Sequence, residues 1–274
     1  MTDEHRVSSS RGMHLALHLT PEAFYGQTCP AASSGGMALP GEAPLSFFRQ
    51  DTDECISLAA NVKTLLAAHP EWNSAEYSSV DILVETLRYT MVPLELFDED
   101  LRKDLFSCNF DLREEEQIRH NILPACNAVA LFAADRFAMG MLLDPFPQAR
   151  IQVQAAVGSE YFCRLNKVEG PSELYAVMQE ERLHAFVYAK GELQTAASFQ
   201  CLSADDAAYF LLSLMKQNEM DVRSHSLHLA GQGEWMAEAE ALLRRFVRFV
   251  DVLPMPFPEK QTFFLHALQQ IQNS

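Results

Sequence analysis

Apolar and polar residues alternate in the first stretch of the chain. Between His14 and Leu19, leucines alternate with histidine and alanine, and this period of two predicts a strand with one buried face. A turn at residues 20–22 and an apolar run at residues 23–25 complete a predicted hairpin. On this interpretation His14 and His18 share the exposed face of the strand. Because no third ligand is close in sequence, both are predicted to be surface residues and not a metal pair.

The rest of the first half predicts a strand, a helix and another strand. Residues 30–44 are rich in Ala, Ser, Gly and Pro, which predicts a mobile loop. A strand is predicted at residues 45–48, and residues 51–54 have the form of a capping box that starts a helix. The apolar face of that helix ends at His69, and the apolar run at residues 80–84 predicts the next strand.

Further elements follow in the middle of the chain, and the second half repeats the opening order. In chain order the predicted elements are a short helix at 98–106, a buried strand at 127–134, helix and strand within 135–165, strands at 173–178, 183–189 and 193–199, a helix capped by residues 203–206, a strand at 226–230, a helix from Glu234 that buries Trp235 and Phe246, a strand at 250–253 and a helix at 259–272. Both halves therefore begin β-β-β-α-β, an order that predicts mixed sheets with helices packed on them.

This repeat predicts two lobes of α/β architecture. The first is expected at residues 13–168, with inserted elements, and the second at residues 169–274. Residue identity between the halves is slight, so the pattern is also compatible with two unrelated α/β domains.

Charge and cysteine usage narrow the choice of partners. The 274 residues include 21 basic and 37 acidic side chains, a formal charge of −16. That field repels a polyanion, so no nucleic-acid partner is expected. The six cysteines are scattered without paired spacing, which favours reduced thiols in the cytoplasm and no metal site. The longest purely apolar run, residues 128–134, is far shorter than the ~20 residues that a membrane-spanning helix needs.

Four short stretches resemble a known group of proteins. Residues 89–97, 108–110, 204–210 and 227–231 are similar to an uncharacterised bacterial domain-of-unknown-function family with an actin-like fold. The duplicated β-β-β-α-β plan resembles the wider actin-like ATPase superfamily, which includes actin, sugar kinases, heat-shock ATPases and pilus-assembly ATPases. The resemblance implies a duplicated actin-like (ribonuclease H-like) two-lobe fold, with mixed sheets and flanking helices. It implies no particular activity.

The resemblance also implies where a nucleotide would bind. Active members of the superfamily bind phosphates at two hairpin turns that carry Asp followed by Gly, since the carboxylate holds Mg²⁺ or water and glycine lets the backbone approach phosphate. Here His18 and Thr20 stand at the first turn, and the second turn, residues 178–182, has no glycine and carries two carboxylates. Loss of both turns predicts that the chain is not an ATPase and has no catalytic residues.

Two weaker features remain. Gly231 and Gly233 resemble the adenosine-side turn of the superfamily, but a tight turn that requires φ > 0 is the favoured explanation for them. Arg244, Arg245 and Arg248 form the densest basic group. They complement a helix C-terminus or, alternatively, dock an acidic partner.

Two functions from different classes follow. The favoured hypothesis is a non-catalytic protein-interaction or scaffold protein with a degenerate actin-like ATPase fold, an unidentified protein partner and no cofactor. The alternative is an ATP-binding protein resembling the pilus-assembly ATPases, with Mg-ATP as its ligand at Gly231 and Gly233. The two differ in whether Mg-ATP binds.

Overall fold

The computed structural model describes residues 12–30, 46–73, 77–166, 170–232, 235–254 and 262–272. The loop predicted at residues 30–44 lies almost wholly outside these ranges, as do Gly233 and the predicted lobe boundary at residue 168. The strands are β1 Met13–Leu19, β2 Ala23–Pro30, β3 Ser46–Asp51, β4 Ser79–Val84, β5 Tyr89–Pro93, β6 Glu116–Leu123, β7 Ala128–Asp135, β8 Arg150–Val153, β9 Glu173–Gln179, β10 Arg182–Ala189, β11 Glu192–Gln200, β12 Ser226–Gln232 and β13 Phe249–Val252. The α-helices are α1 Leu58–Ala68, α2 Arg102–Ser107, α3 Arg136–Leu143, α4 Gln154–Leu165, α5 Ala204–Gln217, α6 Met236–Leu243 and α7 Phe263–Gln272. Short 3₁₀ turns lie at Pro70–Asn73, Leu94–Leu96, Glu99–Leu101 and Pro124–Cys126.

Two five-stranded sheets share one topology. The first sheet has the order β3-β2-β1-β4-β8, and the second has β11-β10-β9-β12-β13. In each, the first three strands are antiparallel neighbours and the last two add in parallel. The predicted α/β class with duplicated mixed sheets is thereby confirmed, because the strand order is repeated and not merely the strand count.

An inserted sheet distinguishes the first half from the second. Strands β5, β7 and β6 form a three-stranded antiparallel sheet between β4 and β8, and the second half has no counterpart among its described residues. One face of this sheet packs with α2 around Phe106, which is completely buried. Of its three strands, the apolar pattern predicted β7, whereas β5 and β6 are short or polar enough to escape a periodicity argument.

Helices α4 and α7 lie between the two five-stranded sheets. Helix α4 follows the first sheet in sequence but contacts β10 and β11 of the second, and α7 follows the second but contacts β1 of the first. Tyr188 on β10 donates a hydrogen bond to the Ser159 carbonyl oxygen on α4 (2.6 Å), and Arg164 on α4 donates to the Ile271 carbonyl oxygen on α7 (2.8 Å). The two sheets therefore share one continuous apolar core.

The prediction that His14 and His18 are surface residues is wrong, because helix α7 covers their face of the sheet. His18 is completely buried and His14 is 6% exposed, so neither is the surface residue that the alternating pattern predicted. Strand β1 is the central strand of its sheet, and the His18 ring packs edge-on against Phe264 of α7 with ring centroids 5.8 Å apart. A half-buried strand was the wrong expectation because helices cover both faces of the sheet.

The predicted helix starts were partly right. Ser203 caps α5 by accepting from the Asp206 N–H (3.1 Å), while the Asp206 carboxylate accepts from the Leu202 N–H (3.1 Å). The other capping box, residues 51–54, is wrong, because Ser57 caps α1. Trp235 was predicted to be a core residue but is partly buried at the N-cap of α6.

Helix α6 is shorter than predicted. It ends at Leu243, so Phe246 lies beyond it and is 52% exposed. The apolar spacing continued past the helix end, which placed Phe246 on a helical face that does not exist.

Candidate functional site

Two hairpin turns face each other where the two five-stranded sheets meet. The first joins β1 to β2, and the second, Glu180 and Glu181, joins β9 to β10. In the first turn the Thr20 N–H donates to the Ala23 carbonyl oxygen (3.0 Å), and the Ala23 N–H donates to Thr20 Oγ1 (3.1 Å). Pro21 has no N–H to offer. Two backbone N–H groups of the turn are therefore bonded within it and a third position has none, and backbone N–H groups are what a phosphate would need.

The second turn is built without glycine. Glu180 has a φ of 51°, a left-handed conformation that glycine adopts more readily than glutamate. This conformation brings its carboxylate to the first turn, where Tyr25 and Thr20 donate to it, the latter at 3.4 Å. Burial, together with the neighbouring carboxylates of Glu22 and Glu85, raises the pKa of Glu180 to about 7.

Arg182 joins the two lobes directly. It lies at the start of β10, and its Nη1 donates to both carboxylate oxygens of Glu22 in the first turn, each at 2.7 Å. Its Nε lies 3.3 Å from Oε1 of Glu85, which follows β4 in the first sheet. One guanidinium thus meets two carboxylates from the other lobe, at the place where the superfamily resemblance implies a nucleotide.

Glu85 is surrounded by two histidines from different sheets. Its Oε2 lies 3.1 Å from His18 Nε2, and its Oε1 lies 3.6 Å from His184 Nε2. Burial by itself would raise the pKa of Glu85, but the two adjacent imidazoles outweigh it and hold that pKa well below its usual range. Glu85 is therefore an anion on the boundary between the lobes.

Hydroxyl groups fix both imidazoles. His18 Nδ1 lies 2.9 Å from Thr262 Oγ1, and His184 Nδ1 lies 2.8 Å from Ser198 Oγ, which in turn is 2.9 Å from the Tyr89 hydroxyl. Each ring thereby presents its Nε2 to Glu85.

These contacts define a single group, here named the junction cluster. Its members are His18, Glu22, Glu85, Glu180, Arg182 and His184. Within the described ranges no three His, Cys, Asp or Glu side chains are arranged to hold a metal ion. A further anion would lie beside the carboxylates of Glu22 and Glu85 and would compete with them for Arg182. Chemically, the arrangement is suited to holding two lobes together.

Part of this cluster was predictable from the sequence. The departures at His18 and Thr20 and the Glu180-Glu181 turn were recognised, but the roles of Glu85, Arg182 and His184 were missed. These residues are far apart in sequence and converge only in the folded chain. A glutamate directly after the buried strand β4, beside a histidine-bearing strand, was the available signal.

The predicted glycine Gly231 lies at the same end of the second sheet as the junction cluster, next to the end of β9, whereas the predicted arginines lie at the other end. Gly231 has a φ of 115°, and a Cβ there would come within 1.8 Å of the Met178 carbonyl oxygen, so close backbone approach requires glycine. Gly233 is outside the described residues. Arg244, Arg245 and Arg248 lie near the N-terminal end of β13, at the opposite end of the second sheet from the junction cluster.

No helix in the described part of the chain is long and apolar enough to cross a membrane.

Two solved structures are similar to the whole chain. One is a protein from Bacteroides thetaiotaomicron VPI-5482 described as having an actin-like ATPase fold and unknown function; identity is 27%, the TM-score is 0.84, and the match covers 98% of this chain and 99% of that one. The other is the PilM-PilN type IV pilus biogenesis complex, with 15% identity, a TM-score of 0.53 and coverage of 94% and 98%. A comparison with curated proteins gives no match.

These similarities confirm the actin-like fold that the sequence resemblance implied. A family model described as "Protein of unknown function (DUF3822)" matches residues 43–250. Because this match covers well over half of the chain, the protein belongs to the DUF3822 family.

Proposed function

We propose that the protein is a non-catalytic interaction or scaffold protein with a degenerate actin-like ATPase fold. The contact of Arg182 with Glu22 and Glu85 carries the proposal, because it spans the lobes where a nucleotide would lie. These side chains connect the two lobes directly, as a bound ligand would otherwise do. An anionic triphosphate would have to break these ion pairs and then lie beside two carboxylates.

Two further observations support this proposal. All six cysteines are free thiols, and four of them are buried, as expected for a protein in the reducing cytoplasm. The PilM-PilN complex contains a chain of similar fold together with another protein, which supports a protein partner.

Thermal melting of the full chain with millimolar Mg-ATP tests the proposal. A ligand at ~100 times its Kd stabilises a protein by about 2.7 kcal/mol, a clear shift in melting temperature. We expect no shift, and phosphate release equal to that of a protein-free blank.

A reproducible upward shift would overturn the proposal in favour of ATP binding. Two variants then locate the nucleotide. Arg182→Gln changes the junction cluster, and Arg102→Gln is the matched control, because Arg102 pairs with Glu99 on the surface. A shift that disappears in the first variant and persists in the second places Mg-ATP between the two turns.

A further inference from the structure

A basic and aromatic surface lies beside the edge of the second sheet. We name its four residues, Arg245, Phe246, Arg248 and Phe249, the β13 patch. Phe246 is 52% exposed and Phe249 is 43% exposed. The Arg245 guanidinium lies 6.0 Å from the centroid of Phe246, and that of Arg248 lies 5.1 Å from the centroid of Phe249. Arginine and aromatic residues are the types enriched at the centres of protein interfaces.

The two arginines of the patch differ from their neighbour Arg244. Arg244 forms an ion pair with Glu240 at 2.8 Å, one turn back on α6. Among the residues that the structure describes, no carboxylate lies within 4.0 Å of the guanidinium of Arg245 or Arg248. Both also follow the end of α6 at Leu243, so the helix C-terminus explains Arg244 better than it explains them.

The outer edge of strand β13 pairs with no strand in the part of the chain that the structure describes. Strand β13 is the last of the second sheet and pairs with β12 in parallel. The Leu253 N–H donates to the Leu229 carbonyl oxygen at 2.7 Å, so alternate residues from Phe249 point their backbone groups to β12. The N–H and C=O groups of Val250 and Val252 consequently face away from the sheet. Such an edge is a template for an added strand.

We infer that the β13 patch and the outer edge of β13 bind an extended acidic segment of a partner protein by strand addition. Backbone bonds to Val250 and Val252 would hold the segment, its apolar side chains would cover Val252 on one face of the sheet, and its carboxylates would meet Arg245 and Arg248 beside Phe249 on the other. Complementary charge argues for an acidic segment, because two arginines without an ion pair among the described residues lie three positions apart beside this edge, on a chain of formal charge −16. The inference rests on the proposed function and names the chemistry of the partner.

Fluorescence anisotropy with a defined probe tests this site. The probe is a short fluorescein-labelled peptide of alternating glutamate and valine, and its control carries lysine in place of glutamate. We expect the acidic peptide to bind more weakly as salt rises, and the lysine peptide not to bind. The double variant Arg245→Gln/Arg248→Gln should weaken binding by about tenfold, whereas Arg102→Gln should leave it unchanged.

A second pair of variants tests the strand edge. Val252→Pro removes an N–H that faces outward and leaves the bonds to β12 in place, so it should abolish binding without unfolding the chain. Val252→Thr keeps that N–H and should bind. Absence of salt-sensitive peptide binding, binding that survives the arginine changes, or tighter binding of a single-stranded oligonucleotide to the same patch would each overturn the inference. If the protein binds neither the peptide nor Mg-ATP, the inference about this site is overturned and the proposed function still stands.

Discussion

Two histidine–carboxylate pairs lie four residues apart along the neighbouring strands β1 and β4. In the first, His14 Nε2 is 3.4 Å from Asp81. In the second, His18 Nε2 is 3.1 Å from Glu85. Asp81 takes its other partners mainly from the first sheet, whereas Glu85 takes Arg182 and His184 from the second. A histidine–carboxylate pair therefore serves two purposes along these strands. The pair at Asp81 stabilises the first sheet, and the pair at Glu85 connects the two lobes.

The two carboxylates also differ in hydrogen bonding. Asp81 accepts bonds from Arg150 (2.6 and 2.8 Å), Gln152 (3.0 Å) and Gln272 (2.6 Å). Around Glu85, by contrast, Oε2 and both histidine Nε2 atoms are buried without an aligned hydrogen bond. Glu85 is therefore held mainly by ionic contacts, which depend less on exact alignment than hydrogen bonds do. Asp81 therefore fixes strands of one sheet, while Glu85 links the two lobes.

Replacement of Glu85 should have the largest effect. Glu85→Gln leaves Arg182 and two imidazoles around a neutral buried group, so the free energy of unfolding should fall by about 3–5 kcal/mol in a urea titration. The matched control Glu99→Gln, in an exposed pair with Arg102, should change it by no more than ~0.5 kcal/mol. A loss below about 1 kcal/mol for Glu85→Gln would show that the lobes do not depend on this carboxylate.

A double-mutant cycle should show the coupling between the lobes. Arg182→Gln and Glu22→Gln, singly and together, should give a coupling energy of about 1–3 kcal/mol, because both side chains are largely buried and bonded to each other. The same cycle on Arg102 and Glu99 should give about 0.5 kcal/mol. Equal values for the two cycles would mean that the bridge is no stronger than a surface pair.

The smallest effect should be a dependence of stability on pH through Glu180. Its pKa of about 7 in the folded chain is above its ordinary value of 4.5. The folded state therefore takes up a proton more readily, and the resulting stabilisation is present below about pH 4.5 and lost as pH rises through about 7. Between about pH 5 and pH 8, the wild type should lose stability relative to Glu180→Gln, as measured by urea unfolding. A constant difference between the two proteins would contradict a raised pKa.

The sequence was sufficient for the order of elements in the two five-stranded sheets, although not for strands β5 and β6 of the inserted sheet. Alternation at β1, the buried run at β7 and the Ser203 cap are local features, and each follows from contacts within a few residues. The repeat of β-β-β-α-β then restricted the topology, because hairpins pair neighbours and strand–helix–strand links add in parallel. The two sheets matched that expectation.

The junction cluster needed information that no local pattern contains. His18 looked exposed because its strand alternates, and only the packing of α7, more than 240 residues later in the chain, buries it. From the sequence alone, Arg182 could equally have been a phosphate-binding residue or an exposed surface residue. Its partners Glu22 and Glu85 belong to the other lobe, so their meeting depends on how the lobes are placed together.

The exchange of helices between the two sheets has a consequence for synthesis of the protein. The first sheet is made early, yet His18 and Gln27 find partners on Thr262 and Leu265. Until a ribosome has delivered that late segment, one face of β1 lacks its cover and exposes apolar surface that chaperones recognise. Folding of the first lobe should therefore finish only after translation of α7, and a nascent chain stalled before Thr262 should remain sensitive to protease throughout its first sheet.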